Sequence, residues 1–196
     1  MPIVDVICIR WGTIYSFEYV ERLYHQVCLN LDIPFNFICY TDQPERMDGI
    51  TFRPCFEDLE GWYQKLGLFR DGEIKRPTLF LDLDVIVTGD LQFFFEWPYE
   101  FGAIDDWVRP GFNSSVMFLD EGVTDAPFNA RPYHKHGDQG IISECIDNDL
   151  VFPKDWCLSY KFNKVKKPPE SCKIVVFHGK PKPPECPDEW IKEHWK

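Results

Sequence analysis

Short apolar runs and one amphipathic segment alternate at the start of the chain. The runs 4–9 and 35–40 are rich in β-branched and aromatic residues and have the length of buried strands. Between them, apolar residues recur with the three- and four-residue spacing of one helix face: Phe17, Val20, Tyr24, Val27 and Leu31. Ser16 stands at the expected N-cap. This order predicts a strand, a helix and a second parallel strand, and hence a sheet covered on both faces.

Later apolar segments extend this α/β pattern. The most strongly apolar strand is predicted at 78–81, directly after Pro77. Further strands are predicted at 101–104, 115–119 and 173–177, and helices at 62–69, 137–146 and 189–196. The stretch 44–54 is predicted to be a linker, because a proline stands at each end. We therefore predict an α/β fold with a mostly parallel central sheet flanked by helices, in a single domain over 1–196.

Composition restricts the classes of function. Of the 196 residues, 44% are hydrophobic and 16% are aromatic, which is enough for a packed core. The net charge of −11 argues against a broad nucleic-acid surface, because phosphate partners recruit Lys and Arg. No apolar run approaches the roughly 18 residues of a membrane span, and the first residues lack the pattern of a secretory signal. We expect a cytoplasmic protein with no nucleic-acid partner and no transmembrane segment.

Two aspartates separated by one residue follow the most apolar strand. Asp82 and Asp84 flank Leu83 at the end of the run 78–81. Buried carboxylates need compensating charge, and oxygen ligands suit Mn²⁺ and Mg²⁺, which can bridge to a phosphate substrate. In a bare Asp-x-Asp, it is more common that one aspartate caps a turn while the other faces solvent. The pair therefore indicates either a metal site or a structural turn.

A second motif follows the last predicted strand. His178 opens the sequence His-Gly-Lys-Pro-Lys-Pro, which contains Gly179, Lys180 and Lys182. Imidazole can complete a metal shell, glycine lets the backbone approach an anion, and lysine ammonium groups can bind phosphate. The range 161–182 holds seven lysines and one acidic residue, which fits a local anion site or a solvated loop. A lone histidine here is otherwise a hydrogen-bonded structural residue, but the two motifs together favour a metal and phosphate site.

The ordered motifs resemble glycosyltransferases of the GT-A fold, specifically family 8, the group of glycogenin and the bacterial lipooligosaccharide galactosyltransferases. They also resemble a less studied set of bacterial and viral glycosyltransferase-like proteins. The matching motifs are Arg-Trp-Gly-Thr-Ile-Tyr at 10–15, Tyr-Gln-Lys-Leu at 63–66, Leu-Asp-Leu-Asp at 81–84, Phe-Asn-Ser-Ser-Val at 112–116, Asp-Gln at 138–139 and His-Gly-Lys-Pro-Lys-Pro at 178–183. The resemblance implies the Rossmann-like GT-A fold of nucleotide-diphospho-sugar transferases.

The resemblance also implies roles for the matching residues. The metal ligands for Mn²⁺ or Mg²⁺ would be Asp82, Asp84 and His178. The nucleotide would be bound by Arg10, Trp11, Gly12, Tyr15, Asp42, Lys65 and Leu83. The diphosphate would be bound by Gly179, Lys180 and Lys182. The donor sugar would be lined by Asn113, Ser114 and Asp138. The catalytic residues would be Asp138 and Gln139.

The activity implied is sugar transfer from a nucleotide-diphosphate donor, expected to be a UDP-sugar, to a glycan or lipid-linked saccharide, with retention of anomeric configuration. Two departures from the family pattern bear on the site. The segment after His178 is shorter than the family's, so either Lys180 or Lys182 can meet the diphosphate. Gly140 stands where a second aspartate often follows the Asp-Gln pair, so the family's sugar specificity does not transfer.

Two other functions compete with this one. A haloacid-dehalogenase-type phosphatase also carries Asp-x-Asp after an apolar strand, but that motif usually opens its fold, whereas here Asp82 follows a β-α-β segment. An inactive module that binds a nucleotide sugar or a glycan is the non-enzymatic alternative. Trp107, in a polar loop, can stack on an acceptor sugar. Five other tryptophans are expected to serve in packing: Trp62, Trp97, Trp156, Trp190 and Trp195.

Overall fold

The computed structural model describes residues 3–43, 45–130 and 134–196. The first two residues, on which the expectation about a secretory signal partly depended, and Pro44, the predicted start of a linker, lie outside these ranges. The strands are β1 (Val4–Arg10), β2 (Phe35–Thr41), β3 (Ile50–Pro54), β4 (Thr78–Leu81), β5 (Val85–Val87), β6 (Phe101–Asp105), β7 (Phe112–Leu119), β8 (Cys157–Ser159) and β9 (Ile174–Val176). The α-helices are α1 (Phe17–Asn30), α2 (Gln92–Phe95), α3 (Ala126–Asn129), α4 (Gly137–Cys145) and α5 (Glu189–His194).

The predicted β-α-β start is confirmed. Strands β1 and β2 pair in parallel along their whole length, from Val4 opposite Phe35 to Arg10 opposite Thr41. Helix α1 crosses between them and buries Val20 and Val27 of the predicted stripe, whereas Phe17 and Tyr24 are half-buried. It also buries Leu23, which the predicted stripe did not include. Ser16 is its N-cap residue, although its side chain makes no capping hydrogen bond. The helix covers one face of the sheet.

The large sheet is mixed, with the strand order β3-β2-β1-β4-β7-β6. Strands β1 to β4 are mutually parallel, whereas β7 runs antiparallel to both of its neighbours. Five of the six strands therefore point the same way, and the prediction of an α/β sheet flanked by helices is confirmed. The carboxyl ends of β1, β4 and β6 and the beginning of β7 meet at one edge, where ligands of such sheets bind.

The linker predicted over 44–54 is wrong in its second half, which forms the edge strand β3. Only Ile50 is buried in this strand, and Thr51, Arg53 and Pro54 are exposed. Edge strands carry charge and proline because one side of their backbone faces solvent, so the sequence resembles a loop.

A second sheet of three strands, β5-β9-β8, packs beside the first. Strand β5 begins directly after Asp84 and pairs antiparallel with β9, and β8 joins β9 in parallel. The prediction missed β5 and β8 because each has three residues, too few for a periodic pattern. This sheet brings the chain after β9 beside the end of β4.

The predicted helix at 62–69 is a 3₁₀ helix over Gly61–Phe69. It covers the face of the large sheet opposite α1, and seven of its nine residues are buried. Gly67 lies against the ring of Phe56, where a Cβ atom would stand 2.1 Å from a ring carbon. Both faces of the sheet are therefore covered, as predicted, and no helix in the described ranges has the length and hydrophobicity of a membrane span.

Candidate functional site

The Asp82–Asp84 turn joins the two sheets at the edge where ligands are expected. The backbone N–H of Asp82 donates to the carbonyl of Ser115 on β7, at 2.8 Å. The carbonyl of Asp84 accepts a hydrogen bond from the N–H of Phe177, just after β9, at 3.0 Å. Leu83, between them, is 2% exposed and packs in the core on the α1 side. The turn thus presents two carboxylates at the joint, while the side chain of Leu83 points away from it.

Lys65 organises the first half of the site. Its Nζ lies 2.9 Å from the Asp82 carboxylate, 3.1 Å from Ser114 Oγ and 3.8 Å from Asp138. Ser114 in turn donates a hydrogen bond to Asp138. Burial lowers the pKa of Lys65, because it disfavours the charged amine. The negative charges of Asp82 and Asp138 have the larger effect and hold this pKa above its ordinary value. Burial raises the pKa of Asp82 to about 6, although Lys65 acts in the opposite direction.

Asp84 organises the second half. The hydroxyl of Tyr15 donates to its Oδ2 at 2.9 Å, and the ammonium group of Lys182 is ion-paired with the same oxygen. Burial, followed by the charge of Asp84, raises the pKa of Tyr15 well above its ordinary value, so the hydroxyl keeps its proton. Lys182 therefore points into the site. Lys180 is exposed and paired with Glu185 at 2.7 Å.

The loop after β1 is held by polar contacts that leave its apolar side chains at the surface. The buried guanidinium of Arg10 donates to the Tyr15 carbonyl at 3.1 Å, to Gln43 Oε1 at 3.0 Å and to Glu45. The N–H of Gly12, a residue with φ of +67°, donates to the Asp42 carboxylate at 3.0 Å. Arg10, at the end of β1, and Asp42, just after β2, therefore hold the loop in place. Two apolar side chains of this loop are exposed: Trp11 and Ile14.

His178 is held between two aromatic rings. Its ring stacks on Trp107 at 5.4 Å between centroids, and on Phe162 at 5.2 Å. Its Nε2 lies 2.7 Å from Ser159 Oγ. Burial lowers the pKa of His178, which favours the neutral ring. The face of Trp107 that meets His178 is thus covered. The sequence motifs assigned no role to Ser159 or Phe162, because nothing local connects these residues to position 178.

Asp138 and Gln139, at the start of α4, have different surroundings. Asp138 is 5% exposed and faces inward to Lys65 and Ser114. Gln139 lines a cavity of about 220 Å³ whose other lining residues include Asp106 and Arg109. Consecutive helical residues point about 100° apart, so the two side chains leave the helix in different directions. Of the two predicted catalytic residues, Gln139 is therefore the one that faces open space.

The packing role predicted for Trp62 is wrong. The side chain is 64% exposed, and it lies against the first turn of α4. A Cβ atom on Gly137 would stand 2.9 Å from the indole Nε1. Trp190 and Trp195 are buried, as predicted. The sequence gives no signal for the exposure of Trp62, because the residues that follow it are buried.

The remaining predicted residues occupy mixed positions. Asn113 is 4% exposed, and its Oδ1 accepts a hydrogen bond from the N–H of Ser115 at 3.1 Å. Gly179 has φ of +75° and open space where a Cβ would be. That conformation favours glycine and leaves the backbone approachable. Seven of the predicted residues form two hydrogen-bonded clusters. The cluster around Lys65 contains Lys65, Asp82, Ser114 and Asp138. The cluster around Asp84 contains Tyr15, Asp84 and Lys182.

The donor chemistry of the turn fits Mn²⁺ or Mg²⁺, since Asp82 and Asp84 offer the carboxylate oxygens that these ions prefer. His178 follows the residue that is hydrogen-bonded to Asp84, and it could add a nitrogen ligand. Within the part of the chain that the structure covers, no three carboxylate, imidazole or thiol groups are grouped closely enough to hold a metal ion. Each aspartate is instead paired with a lysine, so a metal ion could bind Asp84 Oδ2 only after Lys182 moved away.

Known structures that share this architecture include several glycosyltransferases. GlyE from Streptococcus pneumoniae TIGR4 matches with a TM-score of 0.73 at 16% identity, over 97% of this chain and 59% of its own. The bifunctional glycosyltransferase WbbM matches with a TM-score of 0.65 at 12% identity, over 98% and 51%. The galactosyltransferase LgtC, solved with donor and acceptor sugar analogues, matches with a TM-score of 0.62 at 12% identity, over 97% and 93%.

These matches define the architecture as the GT-A fold, which confirms the fold expected from the motifs. This chain spans little more than half the length of GlyE and WbbM, but nearly the full length of LgtC. No family profile matches the sequence, and no curated protein matches it. The likeness therefore lies in the fold and not in overall sequence identity.

Proposed function

We propose that this protein is a glycosyltransferase that uses a nucleotide-diphosphate sugar, with a UDP-sugar as the expected donor. The observation that carries the proposal is the Asp82–Asp84 turn at the carboxyl end of β4 in a GT-A fold, with Lys65 and Lys182 beside it. The expected acceptor is a glycan or a lipid-linked saccharide. The fold favours this function over the phosphatase alternative.

The reaction breaks the bond between C1 of the sugar and the diphosphate oxygen. A bond from an acceptor oxygen to C1 replaces it, and the oxygen of the departing diphosphate takes up the proton of the acceptor hydroxyl. A divalent cation on Asp82 and Asp84 would neutralise charge on the departing diphosphate. The protein carries a net charge of −11, so positive groups must be concentrated locally to hold a polyanion. Lys182 supplies such a group from the chain, and the open backbone at Gly179 lies close to it in sequence.

Gln139 is the residue that we propose to face the sugar. It lines open space at the start of α4, whereas Asp138 is committed to Ser114 and Lys65. One LgtC structure carries an active-site substitution of glutamine by glutamate, which supports a glutamine at this kind of site. The amide oxygen could stabilise positive charge on the sugar ring in an oxocarbenium-like transition state. Retention of configuration is expected from the resemblance to family 8 alone.

We expect Gln139→Ala to lower the turnover number about 100-fold while nucleotide affinity stays within about twofold, because the lost contact acts mainly in the transition state. Donor hydrolysis or transfer gives the turnover number, and calorimetric titration with UDP gives the affinity. The matched control is Gln92→Ala on α2. Unchanged turnover in Gln139→Ala would exclude this role, and an equal loss in the control would indicate a general structural effect.

The proposed function itself is tested by thermal unfolding with a panel of nucleoside diphosphates, each with Mn²⁺ and with a chelator. A ligand at 100 times its dissociation constant stabilises the fold by about 2.7 kcal/mol, which raises the melting temperature by roughly 5–10 °C. We expect a shift with one nucleotide that requires Mn²⁺. No shift with any nucleotide would refute a nucleotide-sugar donor. Binding without donor hydrolysis or transfer would favour the inactive binding module.

A further inference from the structure

Asp84 already has a cation beside it. The Nζ of Lys182 is ion-paired with Asp84 Oδ2, lies 3.3 Å from the carbonyl oxygen of Phe177 and stands 5.3 Å from the centre of the Tyr15 ring. Tyr15 donates its hydroxyl hydrogen to the same carboxylate oxygen. The carboxylate predicted to bind a metal ion therefore has its charge balanced from within the chain.

The two lysines of the site differ in how firmly they are held. The side chain of Lys65 is 11% exposed and contacts Asp82, Ser114 and Asp138 together. The side chain of Lys182 is 20% exposed and reaches Asp84 from a surface segment after β9. Lys65 is therefore a fixed part of the core, whereas Lys182 can exchange Asp84 for another anion nearby.

The backbone of Lys182 is anchored independently of its side chain. Its N–H donates to Glu185 Oε2 at 2.9 Å, and Glu185 Oε1 accepts a hydrogen bond from Lys180 at 2.7 Å. This contact closes the 3₁₀ turn Pro183–Glu185. Because the backbone contact does not involve Nζ, the ammonium group can leave Asp84 through side-chain rotation alone.

We propose that Lys182 is a built-in counterion of Asp84 that is exchanged when the donor binds. Lys182 gives up Asp84 to a divalent cation and turns its ammonium group to the diphosphate. Two cations beside one carboxylate oxygen repel each other, so Lys182 and the metal ion compete for Asp84. The inference rests on the proposed function, and it makes Lys182 a positioning residue for the metal as well as a phosphate contact.

The exchange predicts effects of opposite sign on two ligands. In Lys182→Ala, Mn²⁺ alone should bind about tenfold more tightly, because its competitor is gone; tenfold corresponds to about 1.4 kcal/mol. UDP in the presence of Mn²⁺ should bind about tenfold more weakly, because a phosphate contact is lost. Mn²⁺ and UDP should also strengthen each other's binding less than in the wild type, since the two effects are reciprocal. A merely structural lysine would not tighten Mn²⁺ binding when removed.

Electron paramagnetic resonance of free Mn²⁺ measures its affinity directly, with and without UDP and with no need for turnover. Lys192→Ala on α5 is the matched control: it removes the same charge from an exposed lysine that is paired with Glu189 and not with Asp84, so Mn²⁺ affinity should stay unchanged. Lys182→Gln is a second variant in case Lys182→Ala does not fold, because glutamine keeps a polar side chain at this position. It should also tighten Mn²⁺ binding, since it removes the same positive charge.

Equal or weaker Mn²⁺ binding in both folded Lys182 variants would overturn the inference, as would the absence of Mn²⁺ binding in wild type and variants alike. The failure of the proposed function has a different signature. If Lys182→Ala tightens Mn²⁺ binding but no donor is hydrolysed or transferred by the wild type, the counterion exchange holds and glycosyl transfer does not. If the wild type transfers sugar but the Lys182 variants bind Mn²⁺ as the wild type does, the proposed function holds and the counterion exchange does not.

Discussion

Replacing Asp84 with alanine is expected to lower sugar transfer by about a thousandfold or more. Asp84 lies where the two sheets join, and only 6% of the residue is exposed. Its carboxylate binds Tyr15 and Lys182, and it is a predicted metal ligand. Stabilisation of a departing diphosphate by a bound cation is worth several kcal/mol, and about 4 kcal/mol corresponds to a thousandfold in rate. The Mn²⁺-dependent thermal shift with a nucleoside diphosphate should disappear as well.

The measurement is transfer or donor hydrolysis at saturating donor, together with the melting temperature without ligand. Asp84→Asn is the isosteric companion, because its amide oxygen can still accept the Tyr15 hydrogen bond while its charge is lost. Both variants should fold, and both should lose activity. Asp71→Ala, at an exposed position, is the control and should retain activity. An active Asp84→Asn protein would show that the carboxylate is not required for turnover.

Replacing Lys65 with methionine is expected to cost stability first. The change leaves Asp82 and Asp138 without their shared counterion in a site where their side chains are 25% and 7% exposed. Removing one partner of a buried ion pair typically destabilises a protein by about 3–5 kcal/mol. For a chain of this length, that lowers the melting temperature by on the order of 10 °C. Methionine keeps most of the apolar volume, so the loss reports charge and not a cavity.

The dependence of this loss on pH identifies its cause. Burial already raises the pKa of Asp82 to about 6, and the loss of Lys65 would raise it further. A carboxyl group with a raised pKa in the folded state favours folding at low pH and opposes it as the pH rises. The stability deficit of Lys65→Met should therefore be largest above about pH 7 and shrink towards pH 5. Chemical unfolding at several pH values measures it, with the exposed Lys166→Ala as control. A deficit that is constant with pH would assign the effect to packing.

The sequence predicts the elements that carry long or regular patterns. Helix α1 and strands β1, β2 and β4 lie within one residue of their predicted ends, because each shows a clear period or a compact apolar run. The three-residue strands β5 and β8 and the polar edge strand β3 are missed. Their stability comes from pairing with distant strands, which local composition does not record.

The candidate site shows the same division. Asp82, Asp84 and the lysines after His178 are visible in the sequence, since each motif is local. The contacts between them are not, because Lys182 meets Asp84 across 98 positions of the chain. The different surroundings of Asp138 and Gln139 also depend on how α4 packs, which the sequence of the two residues does not reveal.

The turn that carries the two aspartates also connects the two sheets, since its backbone is hydrogen-bonded to Ser115 on β7 and to Phe177 just after β9. Variation at this turn would disturb the architecture and the chemistry together. The surfaces that surround it are built on separate segments: the loop after β1, the loop before β7 and the first turn of α4. On the proposed function, we therefore expect substitutions in these three segments to alter sugar preference without disturbing the fold, whereas substitutions in the turn should affect both folding and activity.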